Sequence, residues 1–161
     1  MKKTTYFLLA ATMFLWCACN FSAGTKKDLG SGLAYSYNGF GVDQVILVGP
    51  DNAAMSDNEV KLNAQVELVA HGLSNYVLKD GKAFPGLMLS VIDKQGTAVL
   101  SEADLFADTE GYPPADAAIL RGTITVGDPM KAGQTYHVKM RIWDKNKPEN
   151  ELTADVDIEV K

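Results

Sequence analysis

Few residues in this chain have the chemistry to act as catalysts or ligands, and their positions restrict what they can do. The 161 residues include two histidines, two cysteines and twenty acids. His71 stands in "VAHGLSN", with Ser74 three residues on. A nucleophilic hydroxyl needs a base within hydrogen-bond reach and a third group to orient that base; here the pair reads as two polar loop neighbours. His137 and Met140 are three apart in an alternating segment, which puts them on opposite faces of a strand and argues against a shared copper site. A blue-copper centre needs a thiolate, and both cysteines, Cys17 and Cys19, precede the polar body of the chain. No phosphate-cradling glycine loop and no paired zinc-protease histidines occur. Acid–base chemistry would therefore fall to carboxylates. These gather in "SEADLFADTEGYPPADA" (101–117), with Glu102, Asp104, Asp108, Glu110 and Asp116, and in "DKNKPENE" (144–151), with Asp144, Asn146, Glu149 and Glu151. Calcium takes about six to eight oxygens from flexible loops. Asp104, Asp108, Glu110 and Asp116 are the calcium candidates, but neither loop has the ligand periodicity of a calcium motif. No catalytic residue, metal or cofactor is expected.

The cysteines pose a separate question, because they lie two residues apart in "LLAATMFLWCACN" (8–20) with no later partner. A disulfide between them would close a cramped loop. A redox pair normally has two intervening residues and a strand–helix unit beside it. The surroundings favour processing instead. "MKK" is a short basic start, and "TTYFLLAATMFLW" is apolar but shorter than the roughly 20 residues of a bilayer span. "LWCAC" resembles the bacterial lipobox, in which a small residue precedes a cysteine that is acylated, with palmitate for example, and becomes the new N-terminus. Ala18–Cys19 matches at the cut; Leu15 lies one place further back than the usual leucine, and Trp16 and Cys17 depart from the pattern. The resemblance implies a lipoprotein signal peptide over 1–18, a lipid anchor at Cys19 and a place in the bacterial cell envelope, either facing the periplasm or exposed at the surface.

Loss of residues 1–18 would lower the basic count from 15 to 13 against 20 acids, moving the formal charge from −5 to −7. A body this acidic, with no Lys/Arg run, is not expected to bind nucleic acid, which is held largely by phosphate neutralisation. "NFSAGTKKDLGSG" (20–32) is polar and aperiodic, so 19–32 is expected to be a flexible tether. Lys26 and Lys27 could meet anionic headgroups, but two lysines are a weak signal and a solvated linker is the favoured reading. Residues 33–161 are long enough for one domain with its own core.

Period-two alternation runs through that domain. "EVKLNAQVELVA" (59–70) puts Val60, Leu62, Ala64, Val66, Leu68 and Ala70 on one face, as a half-buried strand does. "QTYHVKMRIW" (134–143) and "ELTADVDIEV" (151–160) alternate likewise, and "DQVILVG", "GLMLSVI" and "AILRGTITV" read as further strands. Turn signals separate them: "GPDN", "KDGK", "DKQG", "VGDP" and "DKNKPEN". The one helix expected is "SEADLFA" (101–107), with Ser101 as its N-cap. About seven strands and almost no helix imply an antiparallel β-sandwich.

"MKAGQTYHVKM" sharpens this all-β class. Its spacing from Met130 through Gly133 to Tyr136 resembles the tyrosine corner of immunoglobulin-like and fibronectin type III domains. The resemblance implies that 118–126, 134–143 and 151–160 are strands E, F and G, and that the Tyr136 hydroxyl returns to the backbone of the preceding loop. The immunoglobulin cysteine pair is absent, so an antibody-like subtype is not expected.

In the last hairpin, Tyr136, Val138, Met140 and Ile142 should face the core while His137, Lys139, Arg141 and Trp143 face out, beside an acidic row at Asp155, Asp157 and Glu159. Cross-strand charge pairs of this kind support a solvated sheet face, which is the favoured reading. Arg141 and Trp143 are residue types enriched at interaction hot spots, so the face is also a candidate partner surface. The 101–117 loop is the other, through Phe106 and Tyr112 beside Asp104, Asp108 and Glu110, because long loops on rigid scaffolds often carry binding. Taken together, the residues and the resemblance suggest a membrane-anchored, non-catalytic envelope lipoprotein whose Ig-like domain binds a protein or glycan. Two alternatives are a structural accessory subunit of an envelope assembly and an enzyme working through carboxylates.

Overall fold

The computed structural model describes residues 22–161. Cys19 and the proposed signal peptide lie outside the described residues. Two antiparallel sheets face each other. The longer carries β1 (Ala23–Lys27), β2 (Ala34–Asn38), β10 (Lys147–Val160), β9 (Thr135–Asp144), β6 (Pro85–Asp93) and β7 (Ala98–Glu102) in that order, with the two-residue β4 (Glu59–Val60) parallel to the end of β10. The shorter runs β3 (Gln44–Val48), β5 (Gln65–His71), β8 (Ile119–Thr125). This is an Ig-like sandwich: β3, β5 and β8 stand as strands A, B and E, and β7, β6, β9 and β10 as C′, C, F and G. The N-terminal hairpin β1–β2 extends the sheet beyond strand G, with Ala154 opposite Tyr35.

Alternation builds the core. Val138, Met140, Ile142, Leu152, Ala154, Val156, Ile158, Leu87, Leu89 and Val91 face Val45, Leu47, Val66, Leu68, Leu120 and Ile124 across the two sheets, all buried. Gly122 lets the sheets approach: a Cβ there would sit 3.0 Å from Leu89 Cδ1 and 3.2 Å from Met140 Sδ. A glycine inside a strand commonly marks such a close approach.

Three expectations are corrected. The strand read over 59–70 is broken. β4 lies in the long sheet and β5 in the short one, with Asn63 between them at φ 66°. Both halves face the same core, so the alternation continues across a change of sheet, and Leu62 at the break is exposed. Residues 101–107 form no helix. Ser101 and Glu102 end β7 opposite Ser90 and Leu89. Asp104 then accepts hydrogen bonds from the backbone N–H groups of Leu87 (3.1 Å) and Phe106 (2.9 Å). Such local carboxylate–backbone bonds compete with helix formation. The helical element among the described residues is instead a single 3-10 turn, Asp116–Ala118. Finally, part of the expected tether is strand: Ala23–Lys27 pairs along β2 from Ala23 opposite Asn38 to Lys27 opposite Ala34. β1 is an almost fully exposed edge held by backbone pairing, so it carries no apolar alternation.

Candidate functional site

The tyrosine corner is present. The connection from β8 to β9 crosses between the sheets, and within it the Lys131 N–H donates to the Tyr136 hydroxyl at 2.8 Å. Tyr136 and Met130 are buried, and Gly133 takes the left-handed backbone (φ 78°) that the turn before Tyr136 requires.

The 101–117 loop folds back on the sandwich. The Phe106 ring packs against the core and meets Tyr112 edge-on, with centroids 5.6 Å apart and an interplanar angle of 79°. Tyr112 is tied by two backbone hydrogen bonds of 2.8 Å to Ala83. Asp104 forms a 2.8 Å ion pair with Lys145 at the end of β9. Burial pushes the Asp104 carboxyl up, but the Lys145 ammonium and the two backbone donors outweigh it and hold the group below its ordinary value. Asp104 is therefore a bracket between two loops. Asp108, Glu110 and Asp116 are exposed, and among the described residues no three His, Cys, Asp or Glu side chains gather as a metal would need. The four calcium candidates are not brought together.

Arg141 and Trp143 are brought together, on the outer face of the long sheet. The Arg141 guanidinium stands 5.1 Å from the centre of the Trp143 ring and is held by two 2.8 Å contacts, from Nε and one terminal nitrogen, to Glu151 Oε2. Gly86 lies opposite Trp143 on β6, and a Cβ there would run into the indole. The indole thus occupies the space a side chain at Gly86 would take on the neighbouring strand. Met88, half-buried opposite Arg141, continues the surface. Sequence reading missed Gly86 and Met88, although a glycine opening a strand could have signalled the close approach. Further along the same face His137 Nδ1 meets Asp157 at 2.8 Å, both exposed. His71 is at the end of β5 and Ser74 pairs through its backbone with Gly41.

The depressions at the far pole are shallow. One, of about 400 Å³, is lined by Asp93, Thr97, Lys131 and Tyr136. Its acid and its phenol are already engaged: Asp93 accepts from the backbone of Gln95 and Thr97, and the Tyr136 hydroxyl from the Lys131 N–H. The other, about 460 Å³, has Glu67 as its one titratable wall, and that carboxylate is paired with Arg121 at 2.8 Å. Neither offers a free acid beside a free base. No protein-family model matches the chain, and no curated protein matches it.

Proposed function

We propose that this chain is a bacterial cell-envelope lipoprotein, anchored through acylated Cys19, whose Ig-like domain is a non-catalytic binding module for an envelope protein or glycan. The observation that carries the binding reading is the platform of Trp143 against Gly86, with the Arg141 guanidinium over the indole and Met88 beside it. A flat aromatic ring beside a fixed cation is suited to stack on a sugar ring or on a partner's side chains, and Trp and Arg dominate hot spots for that reason. The test is capture from detergent-extracted envelopes with the full chain as bait. Trp143→Ala and Arg141→Ala should each lose the partner while the domain stays folded and melts cooperatively, because neither side chain faces the core. Unchanged capture by both variants would overturn the platform as the site. Mass spectrometry of the native N-terminus tests the anchor separately: acyl chains on Cys19 are expected, and their absence would overturn it.

A second reading, an accessory subunit of an envelope assembly, is favoured by one observation. β8 is a seven-residue edge that pairs only with β5 among the described residues, leaving its other side free to accept a strand.

A further inference from the structure

The large apolar side chains left exposed among the described residues are unevenly placed. Of Leu29, Leu62, Val77, Leu78, Leu105 and Ile119, four lie at one pole of the sandwich. This pole carries the β5–β6 connection (72–84), the β7–β8 connection (103–118) and the β9–β10 turn. Val77 and Leu78 are 44% and 48% exposed, on the arm of a tight turn closed by reciprocal hydrogen bonds between Lys79 and Lys82. Asp80 and Gly81 both take positive φ there (52° and 74°), so the turn is a stiff two-residue hairpin tip. Its base is fixed: Asp144 accepts from the Val77 N–H (2.6 Å), and the Asn146 amide donates to the Val77 carbonyl (2.8 Å).

The N-terminus reaches the domain at the same pole. The Ser22 carbonyl accepts from Gly39, and Gly39 lies against the Asn150 side chain. Asn150 in turn donates to the carbonyl of Asn75, two residues before Val77. Two residues lie between Cys19 and Ser22, three Cα–Cα steps with a reach of at most about 11 Å at full extension. β10 alone, with fourteen residues, spans about 45 Å. A lipid on Cys19 would thus hold the bilayer close to this pole, and the far pole could not replace it there.

We propose that this pole rests on the bilayer, with Val77, Leu78 and Leu105 seated in the interfacial region. The proposal depends on the acylated Cys19 proposed above. Exposed aliphatic side chains on a rigid tip lose contact with water on entering the headgroup–acyl boundary. Lys79 flanks them and can extend its ammonium group back to the phosphates, while the Lys82 ammonium donates to the Glu110 carbonyl at 3.3 Å. Acids share the pole, among them Asp80, Glu110 and Asp116, so the contact is apolar rather than electrostatic and needs no anionic lipid. The lateral platform around Trp143 then stays open to partners beside the membrane.

The test uses the acylated full chain in phosphatidylcholine vesicles. The mature form has no free thiol, since Cys17 leaves with the signal peptide and the Cys19 sulfur carries lipid. Leu78→Cys and Leu62→Cys therefore each take one environment-sensitive fluorophore. The label at 78 should shift to the blue and be quenched by lipids brominated near the headgroup; the label at 62, on the far pole, should do neither. Adding anionic lipid should change neither signal. An acylated protein whose label at 78 is as wet as that at 62 overturns the docking and leaves the anchor standing. A native N-terminus without acyl chains overturns both. Leu78 is half exposed and lies outside the buried core cluster, so a melting temperature close to wild type should accompany the labelled variant.

Discussion

Tyr136 and Asp104 bind backbone groups from opposite chemical positions, one neutral and buried, the other charged and part-buried. Tyr136→Phe removes the acceptor of the Lys131 N–H and should destabilise the domain by about 0.5–1.5 kcal/mol. The denaturant midpoint should fall with no change in slope; an unmoved midpoint would mean the hydroxyl contributes nothing to the corner. Tyr136 was legible because its spacing from Gly133 is local. Asp104 was legible as an acid in a loop but not as a bracket, because Leu87 and Lys145 reach it from distant parts of the chain. Its carboxyl is held below its ordinary value, so its contribution is fully present above the unfolded-chain value, about 3.9. That contribution is lost as pH falls through the lower, folded value. Asp104→Asn should therefore be less stable at neutral pH by about 1.5–3 kcal/mol, the worth of hydrogen bonds to a charged group. Below about pH 4 the gap from wild type should begin to narrow, closing as pH falls through the folded value. Parallel acid-denaturation curves for the two proteins would show that the charge does not matter.

The strands with one face on the core were legible, and the connections were not. Alternation reports which face is wet, so β8, β9 and β10 could be read to within a few residues. It cannot report which sheet a strand joins, which is why β4 and β5 read as one element, and it is silent on β1, whose stability is backbone pairing at an exposed edge. The β7–β8 connection shows the same limit. Phe106 and Tyr112 stand outside any alternating pattern, and the structure packs Phe106 against the core and Tyr112 against Phe106. Replacing both by Ala should cost about 2–4 kcal/mol, somewhat less than truncation of wholly buried aromatics. A thermal melt checks this. A double variant as stable as wild type would return the two rings to the surface and to partner binding.

At the scale of the whole molecule, two surfaces remain to take a partner, and they belong to different sheets. The platform at Trp143 offers side chains; the free side of β8 offers backbone. Other edges are less inviting: β3 is capped by the 53–55 segment, whose Met55 N–H donates to the Leu47 carbonyl, and β7 is short and irregular against β6. β1 is also open but carries Lys26 and Lys27, and lysines discourage strand addition. β8 has one charged side chain, Arg121, already turned to Glu67. If the protein is an assembly subunit that adds a strand at this edge, Thr123→Lys with Thr125→Lys should block it, because lysines along an edge strand discourage the addition of another strand. Both threonines are exposed, so the domain should keep its melting temperature to within a few degrees. If the protein is a binding module acting through its platform, the same variant should capture its partner at wild-type levels, and only Trp143→Ala and Arg141→Ala should fail. Capture lost with the lysine pair and retained without the indole would transfer the function from the long sheet to the edge of the short one.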